Sequence, residues 1–268
     1  VLVRDLGDQF QIVLQPDHGA VGGQLAAAWT ETAPIDGELA TALILAAARH
    51  DDGWSVWERH PRLDDEGRPQ IFHAVPRESL LSSYRACADI VCAESAAAGL
   101  LVSMHVSGLQ RNRYGVMDDR GTTALESLNP PVREFVVAEE QRQSALVARL
   151  GCDERERWRA YWQLQLYDTI SLYLGLADLA AGESSTIGPM AHEFRTRIGQ
   201  DHGVEALTLT AGPEPWTVHC DPFPFGAAPL HVVMRRRLVP KSGCTDEPSF
   251  RAQFNAAAVE EVTIGLTS

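Results

Sequence analysis

Histidine and aspartate recur at places in this chain where their side chains could converge on a cation. His18 stands in Gln-Pro-Asp-His-Gly and His50-Asp51 in Arg-His-Asp-Asp-Gly-Trp. His105 follows in Ser-Met-His-Val-Ser and Asp168 in Leu-Tyr-Asp-Thr-Ile-Ser. Leu101, Val102 and Leu109 flank His105 at helical spacing, and Asp168 shares a helical face with Tyr161, Leu164 and Leu172. A carboxylate aimed at a core has to be paired, hydrogen-bonded or metal-bound, because an isolated buried charge is strongly unfavourable. Imidazole plus carboxylate suits Fe, Mn, Co, Ni or Zn better than the oxygen cages of Mg or Ca. A plainer alternative stays open, with Asp168 bridging to an arginine and the histidines serving as hydrogen-bonded core residues.

The elements that must position these residues are mainly helices. From about residue 18 to 182 the apolar spacing is helical, with a first helix over Gly22–Thr30 and a second capped by Asp36 and running to about Glu58. Two more fill 77 to about 113, broken near Ser95 or Gly99. Pro130-Pro131 opens a fifth, to about Leu150, and Glu154–Ala181 makes the longest. After Gly182 come short β-like runs at Ala206–Thr210, Trp216–Cys220, Leu230–Leu238 and Val262–Leu266. The expected architecture is a single domain over 1–268. It has a helical core over residues 18–182 and a small β-containing region, 183–268, packed on it. Asp221-Pro-Phe-Pro-Phe reads as a rigid loop, with folding over the cleft as an alternative.

Composition narrows the partners. With 23 basic and 36 acidic residues among 268, the formal net charge is −13, which argues against nucleic acid and against an anionic membrane surface. No apolar run reaches a membrane span, and the five cysteines include no Cys-x-x-Cys pair, so a reduced cytoplasmic protein is expected. Lys241 is the sole lysine, which leaves Schiff-base and P-loop chemistry without their central residue. His192-Glu193 lacks the second histidine of a zinc-protease motif, and neither a Gly-x-Ser-x-Gly elbow nor a Gly-x-Gly-x-x-Gly fingerprint is present.

The order His18, His50-Asp51, Asp168, helix by helix, resembles the HD-domain superfamily of metal-dependent phosphohydrolases. More closely, Gln-x-Asp-His-Gly, His-Asp-Asp-Gly-Trp, Ser-Met-His, Tyr-Asp-Thr-Ile-Ser and Asp221-Pro-Phe-Pro-Phe resemble a bacterial family catalogued only as a domain of unknown function. The superfamily resemblance implies an HD-type helical bundle with His18, His50, Asp51 and Asp168 as metal ligands. It places His105 where dinuclear relatives carry additional histidines. Two departures stand out. A partner for His105 is not obvious, since His73 lies in a loop, and Trp54 occupies the place where many relatives have a lysine.

The implied function is a metal-dependent hydrolase acting on a small phosphoester or a related anionic metabolite, with one or two divalent ions. Asp51 would ligate the metal, and Asp52 or Glu58 would orient or deprotonate the water. Glu58 falls two helical turns past Asp51 if the helix continues. Arg111 and Arg113 are clamps for an anionic substrate. The plainer reading of Asp52, Glu58, Arg111 and Arg113, and the one their residue types favour, is as solvated surface charges. An HD-type iron oxygenase and a non-catalytic, metal-stabilised binding protein are the competing readings.

Overall fold

The computed structural model describes residues 1–30, 35, 37–113, 122–182, 193–194 and 207–268. The fold is mainly helical with a β-sheet packed on the bundle, as expected. The chain opens with β1 (Leu2–Asp5) and β2 (Gln9–Val13), then α1 (Gln15–Ala28), α2 (Glu38–Arg49) and the short α3 (Ser55–Glu58). The helices α4 (Arg77–Glu94), α5 (Ala96–Gln110), α6 (Pro130–Leu150) and α7 (Glu154–Leu176) follow. The C-terminal part supplies β3 (Glu193–Phe194), β4 (Leu207–Ala211), β5 (Thr217–Asp221), β6 (Leu230–Pro240), α8 (Glu247–Ala256) and β7 (Val259–Thr267). Among the described residues no helix is long and apolar enough to cross a membrane.

Ser95 breaks the α4–α5 pair and caps α5 by accepting from the Ala98 N–H, and Asn129 does the same for α6 through Val132. The long helix ends at Leu176 rather than Ala181, and the first helix begins at Gln15, seven residues earlier than its apolar pattern suggests. Asp36 lies outside the described residues; the cap position of α2 is Gly37. Helix α8 was not anticipated; its capping box pairs Asp246 with Ser249.

The strands form one seven-stranded sheet among the described residues, in the order β1-β2-β6-β7-β5-β4-β3. All neighbours are antiparallel except β5 and β7. The β region is therefore not purely C-terminal, because β1 and β2 join it through Gln9–Ile12 on Arg237–Pro240 of β6. Upstream of that pairing, the Gln24 side chain of α1 stands in for a strand. Its amide donates to the Val233 carbonyl and accepts from the Val233 N–H, both at 2.8 Å. The sheet thus holds α1, and with it His18, against the bundle.

Helices α5 and α7 form the bundle's interior. Every residue from Ala97 to Gly108 is buried, and so is nearly all of 160–175, so neither helix is amphipathic. Their polar residues must then be satisfied inside the protein. On α5, Ser103 donates to Glu139 of α6 (2.8 Å), and the Gln143 amide donates to Ser103 (3.1 Å) and Ser107 (2.9 Å). Arg142 completes that group, with Nε 3.1 Å from the same Glu139 oxygen.

Candidate metal centre

The other polar face of the interior collects His18 of α1, His50 and Asp51 after α2, His105 of α5 and Asp168 of α7. All five are buried. His18, His50 and Asp168 each offer a ligand atom, and these atoms lie within 4.8 Å of one another, so the group could hold a metal ion. His50 Nε2 is 3.3 Å from Asp168 Oδ1 and 3.7 Å from Asp51 Oδ2, and His18 Nε2 is 3.0 Å from Asp51 Oδ2. His105 Nε2 approaches the other Asp168 oxygen, Oδ2, at 3.8 Å. The His50 ring stands edge-on to both His18 and His105, with centroids 5.1 Å away in each case.

A break in the backbone brings the His-Asp pair to one point. On a continuous helix, adjacent residues face different directions. Here α2 ends at Arg49, His50 is its C-cap, and Asp51 leaves the helical region (φ −114°, ψ 15°) to start a 3-10 turn over Asp52–Trp54. The expected helix through Glu58 is therefore corrected. Gly53 accounts for the turn's position: a Cβ there would lie 2.3 Å from Ser83 O and Cys87 N on the α4 backbone. Only glycine lets the turn sit this close to α4. A similar approach at Gly23, whose Cβ would lie 2.5 Å from Ala48 Cβ, draws α1 onto α2.

The surroundings assign the protons of two histidines. The Ala47 carbonyl, 3.0 Å from His50 Nδ1, can only accept, so His50 carries its proton on Nδ1. Ser171 Oγ lies 2.8 Å from both the Asp168 carbonyl and His18 Nδ1, and so fixes the ring of His18 from behind. His18 Nε2 is hydrogen-bonded to the Asp51 carboxylate at 3.0 Å, and since that carboxylate can only accept, His18 carries a proton on Nε2 in the metal-free protein. Both rings turn Nε2 toward carboxylate oxygens. His50 Nε2 makes no aligned hydrogen bond despite complete burial. A lone pair facing a carboxylate needs a cation between or beside them, either a proton or a metal. The arrangement of His50, with Nδ1–H anchored and Nε2 facing inward, is how metal-ligating histidines are held.

Charge balance agrees with the geometry. Burial lowers the pKa of His50, but the Asp51 and Asp168 carboxylates outweigh it and raise that pKa to about 9. Burial raises both carboxyls, and the imidazoles beside them pull both below the ordinary carboxylate range. For His105, burial prevails and lowers the pKa to about 4.

The remaining expected site residues lie elsewhere. Asp52 turns to Arg49 (2.6 Å), whose guanidinium also meets Glu94. Glu58 is not a surface acid; it is buried, accepts from the Gln15 N–H at 2.9 Å, and lies 2.6 Å from the Val1 amino nitrogen. Arg111 and Arg113, at the end of α5, both engage Glu140 of α6, and Arg113 is buried too. His73 is exposed on a short turn, whereas His105 is buried. The Asp221–Phe225 loop packs on the far end of α1, where Phe225 meets Trp29 and the Thr30 N–H donates to Pro224 O (3.0 Å). Trp29 is eleven residues beyond His18, roughly 16 Å along a helix, so these loop contacts fall at the opposite end of α1 from His18.

Two residues that touch the His/Asp cluster were not singled out from the sequence. Gln15 donates from Nε2 to Asp51 Oδ2 (3.1 Å), and Ser171 orders His18. Each lies three residues from a ligand on the same helix, Gln15 before His18 and Ser171 after Asp168. The i±3 positions of a buried ligand were the available signal.

Fold and site together define a helical bundle with an appended sheet and a buried His/Asp cluster able to hold a metal ion. The chain belongs to the family described as Protein of unknown function (DUF3891), whose family model matches residues 1–241. No curated protein and no solved structure matches it significantly.

Proposed function

We propose that His18, His50, Asp51, His105 and Asp168 form a divalent-metal centre of the HD type, and that the protein is a metal-dependent hydrolase of small phosphoesters or related anionic metabolites. The observation that carries this reading is the convergence of two fixed rings, His50 held through Nδ1–H on Ala47 O and His18 held at Nδ1 by Ser171, whose Nε2 atoms are directed at Asp168 and Asp51. Three nitrogens and two carboxylates suit Fe, Mn, Co, Ni or Zn. A bound ion of this kind would supply Lewis acidity and a water acidified toward neutrality.

The chain's own residues would do the rest. Asp51 and Asp168 stay ionised and accept hydrogen bonds from groups held at the cluster, while the apolar interior of α5 and α7 excludes bulk water. Arg111 and Arg113 lie six and eight residues beyond His105 and would bind a substrate anion by exchanging it for Glu140. Asp52 and Glu58, engaged by Arg49 and by the Gln15 N–H, are not assigned a proton-transfer role.

One observation favours a second reading, a two-iron oxygenase. The two oxygens of Asp168 face different histidines, Oδ1 toward His50 and Oδ2 toward His105, and a carboxylate so divided suits a second ion. Turnover of an aryl phosphate by the Mn²⁺- or Co²⁺-loaded protein, lost in His50→Ala, is expected for the hydrolase. Two irons per chain with an O₂-dependent optical change, and no phosphatase activity, would replace it with the oxygenase.

A further inference from the structure

Gln15 is buried in the first turn of α1, and its side-chain amide is half used. Nε2 donates to Asp51 Oδ2 at 3.1 Å, while Oε1 is buried with no partner among the described residues. Chemistry sets which way the amide faces. Turned over, Oε1 would meet an ionised carboxylate oxygen, acceptor against acceptor. The residue is also fixed from behind, because its backbone N–H donates to both Glu58 oxygens, at 2.9 and 3.2 Å. An acceptor that is desolvated and unpaired works against folding. This one sits on the same amide head that touches a ligand of the cluster.

We propose that Gln15 is a positioning residue of the metal centre. Its amide nitrogen holds Asp51 by Oδ2, and its amide oxygen accepts from a water held at the cluster, orienting that water. The proposal rests on the metal-centre reading above.

The test uses the full chain and Co²⁺ as probe, followed by its visible absorption over a pH series, in wild type, Gln15→Met and His50→Ala. Methionine keeps the length of glutamine and removes both donor and acceptor. Gln15→Met is expected to bind Co²⁺ about 10–100-fold more weakly, the range found for partners that orient ligands. Its pH midpoint should also fall below the wild-type value, because water donates to an acceptor more strongly than hydroxide does. A purely structural role would not move that midpoint. Should Gln15→Met fail to fold, Gln15→Asn, with the amide withdrawn by one methylene, carries the same comparison.

Wild-type affinity and midpoint in the variant would overturn the role of Gln15, and loss of Co²⁺ in His50→Ala would show that the metal centre itself stands. Weaker binding with an unmoved midpoint would overturn the orienting of water. A wild-type protein that takes no Co²⁺ would overturn both.

Discussion

Two polar clusters are buried against α5, and they are closed in different ways. Toward α6, Ser103, Ser107, Glu139, Arg142 and Gln143 match donor to acceptor, and the one carboxylate is met by an arginine. That group is complete as protein alone. Toward α1, α2 and α7, three imidazoles and two carboxylates meet with ring nitrogens directed at oxygens, and His50 Nε2 has no aligned hydrogen bond. The second cluster balances its carboxylates through a protonated His50, and its His18, His50 and Asp168 atoms could hold a metal ion in place of that proton. Burial of polar groups is common to both; what separates a packing device from a candidate metal site is whether protein donors alone complete it.

The sharpest way to break this contrast is to remove a ligand. Asp168→Ala should abolish metal binding in equilibrium dialysis, and retained stoichiometry would return the cluster to the packing class. Next comes pH. Because His50 in the metal-free protein holds its proton up to about pH 9, metal must displace that proton. Apparent affinity should therefore rise by about tenfold per pH unit from neutrality toward that value, as calorimetry at several pH values would detect.

The metal-free fold should respond in the opposite sense. The folded-state pKa of His50 lies above its unfolded value of 6.5, so its stabilising proton is fully present below that value and lost as pH rises toward 9. Thermal melts of chelated protein should show a falling midpoint across this window, and a flat profile would contradict the charge balance described for the cluster.

A third test addresses the turn. Gly53→Ala forces a Cβ into the α4 backbone and should destabilise by about 1–3 kcal/mol or more while weakening metal binding, because His50 and Asp51 move with the turn. The packing cluster should behave differently. Ser103→Ala leaves Glu139 short of a donor and should cost about 1–3 kcal/mol in urea denaturation, with metal binding unchanged. The smallest effect is expected at Asp52→Asn. It breaks a partly exposed pair with Arg49, worth under about 1 kcal/mol, and should leave metal affinity alone.

One side of this contrast, the His/Asp cluster, was legible in the sequence, and the Ser103–Glu139 group was not. His105 and Asp168 were readable because they interrupt apolar helical faces, where a polar residue needs a reason, and His18, His50 and Asp51 joined them through the order that resembles HD-type proteins. Helix α6 was legible from Pro130-Pro131, and four of the strands from their β-branched runs. What escaped was tertiary. Strands β1 and β2 are short and become recognisable only through their pairing with β6. Glu58 and Arg113 carry charges that suggest the surface, yet each is buried against partners distant in sequence. The end of α2 at Arg49 depends on Gly53 meeting the α4 backbone, a contact that local propensity does not encode. Gln15 and Ser171 were within reach of helical spacing, but a Gln or Ser gains importance only when the neighbouring residue is a ligand.

The most direct test of the central claim is the metal content of folded wild-type protein, purified without chelator and dialysed against Mn²⁺, Fe²⁺ or Co²⁺, beside His18→Ala and His50→Ala. At least one tightly held ion per wild-type chain is expected, with none in either variant. Folded wild-type protein that retains no ion, or variants that retain the wild-type amount, would contradict it.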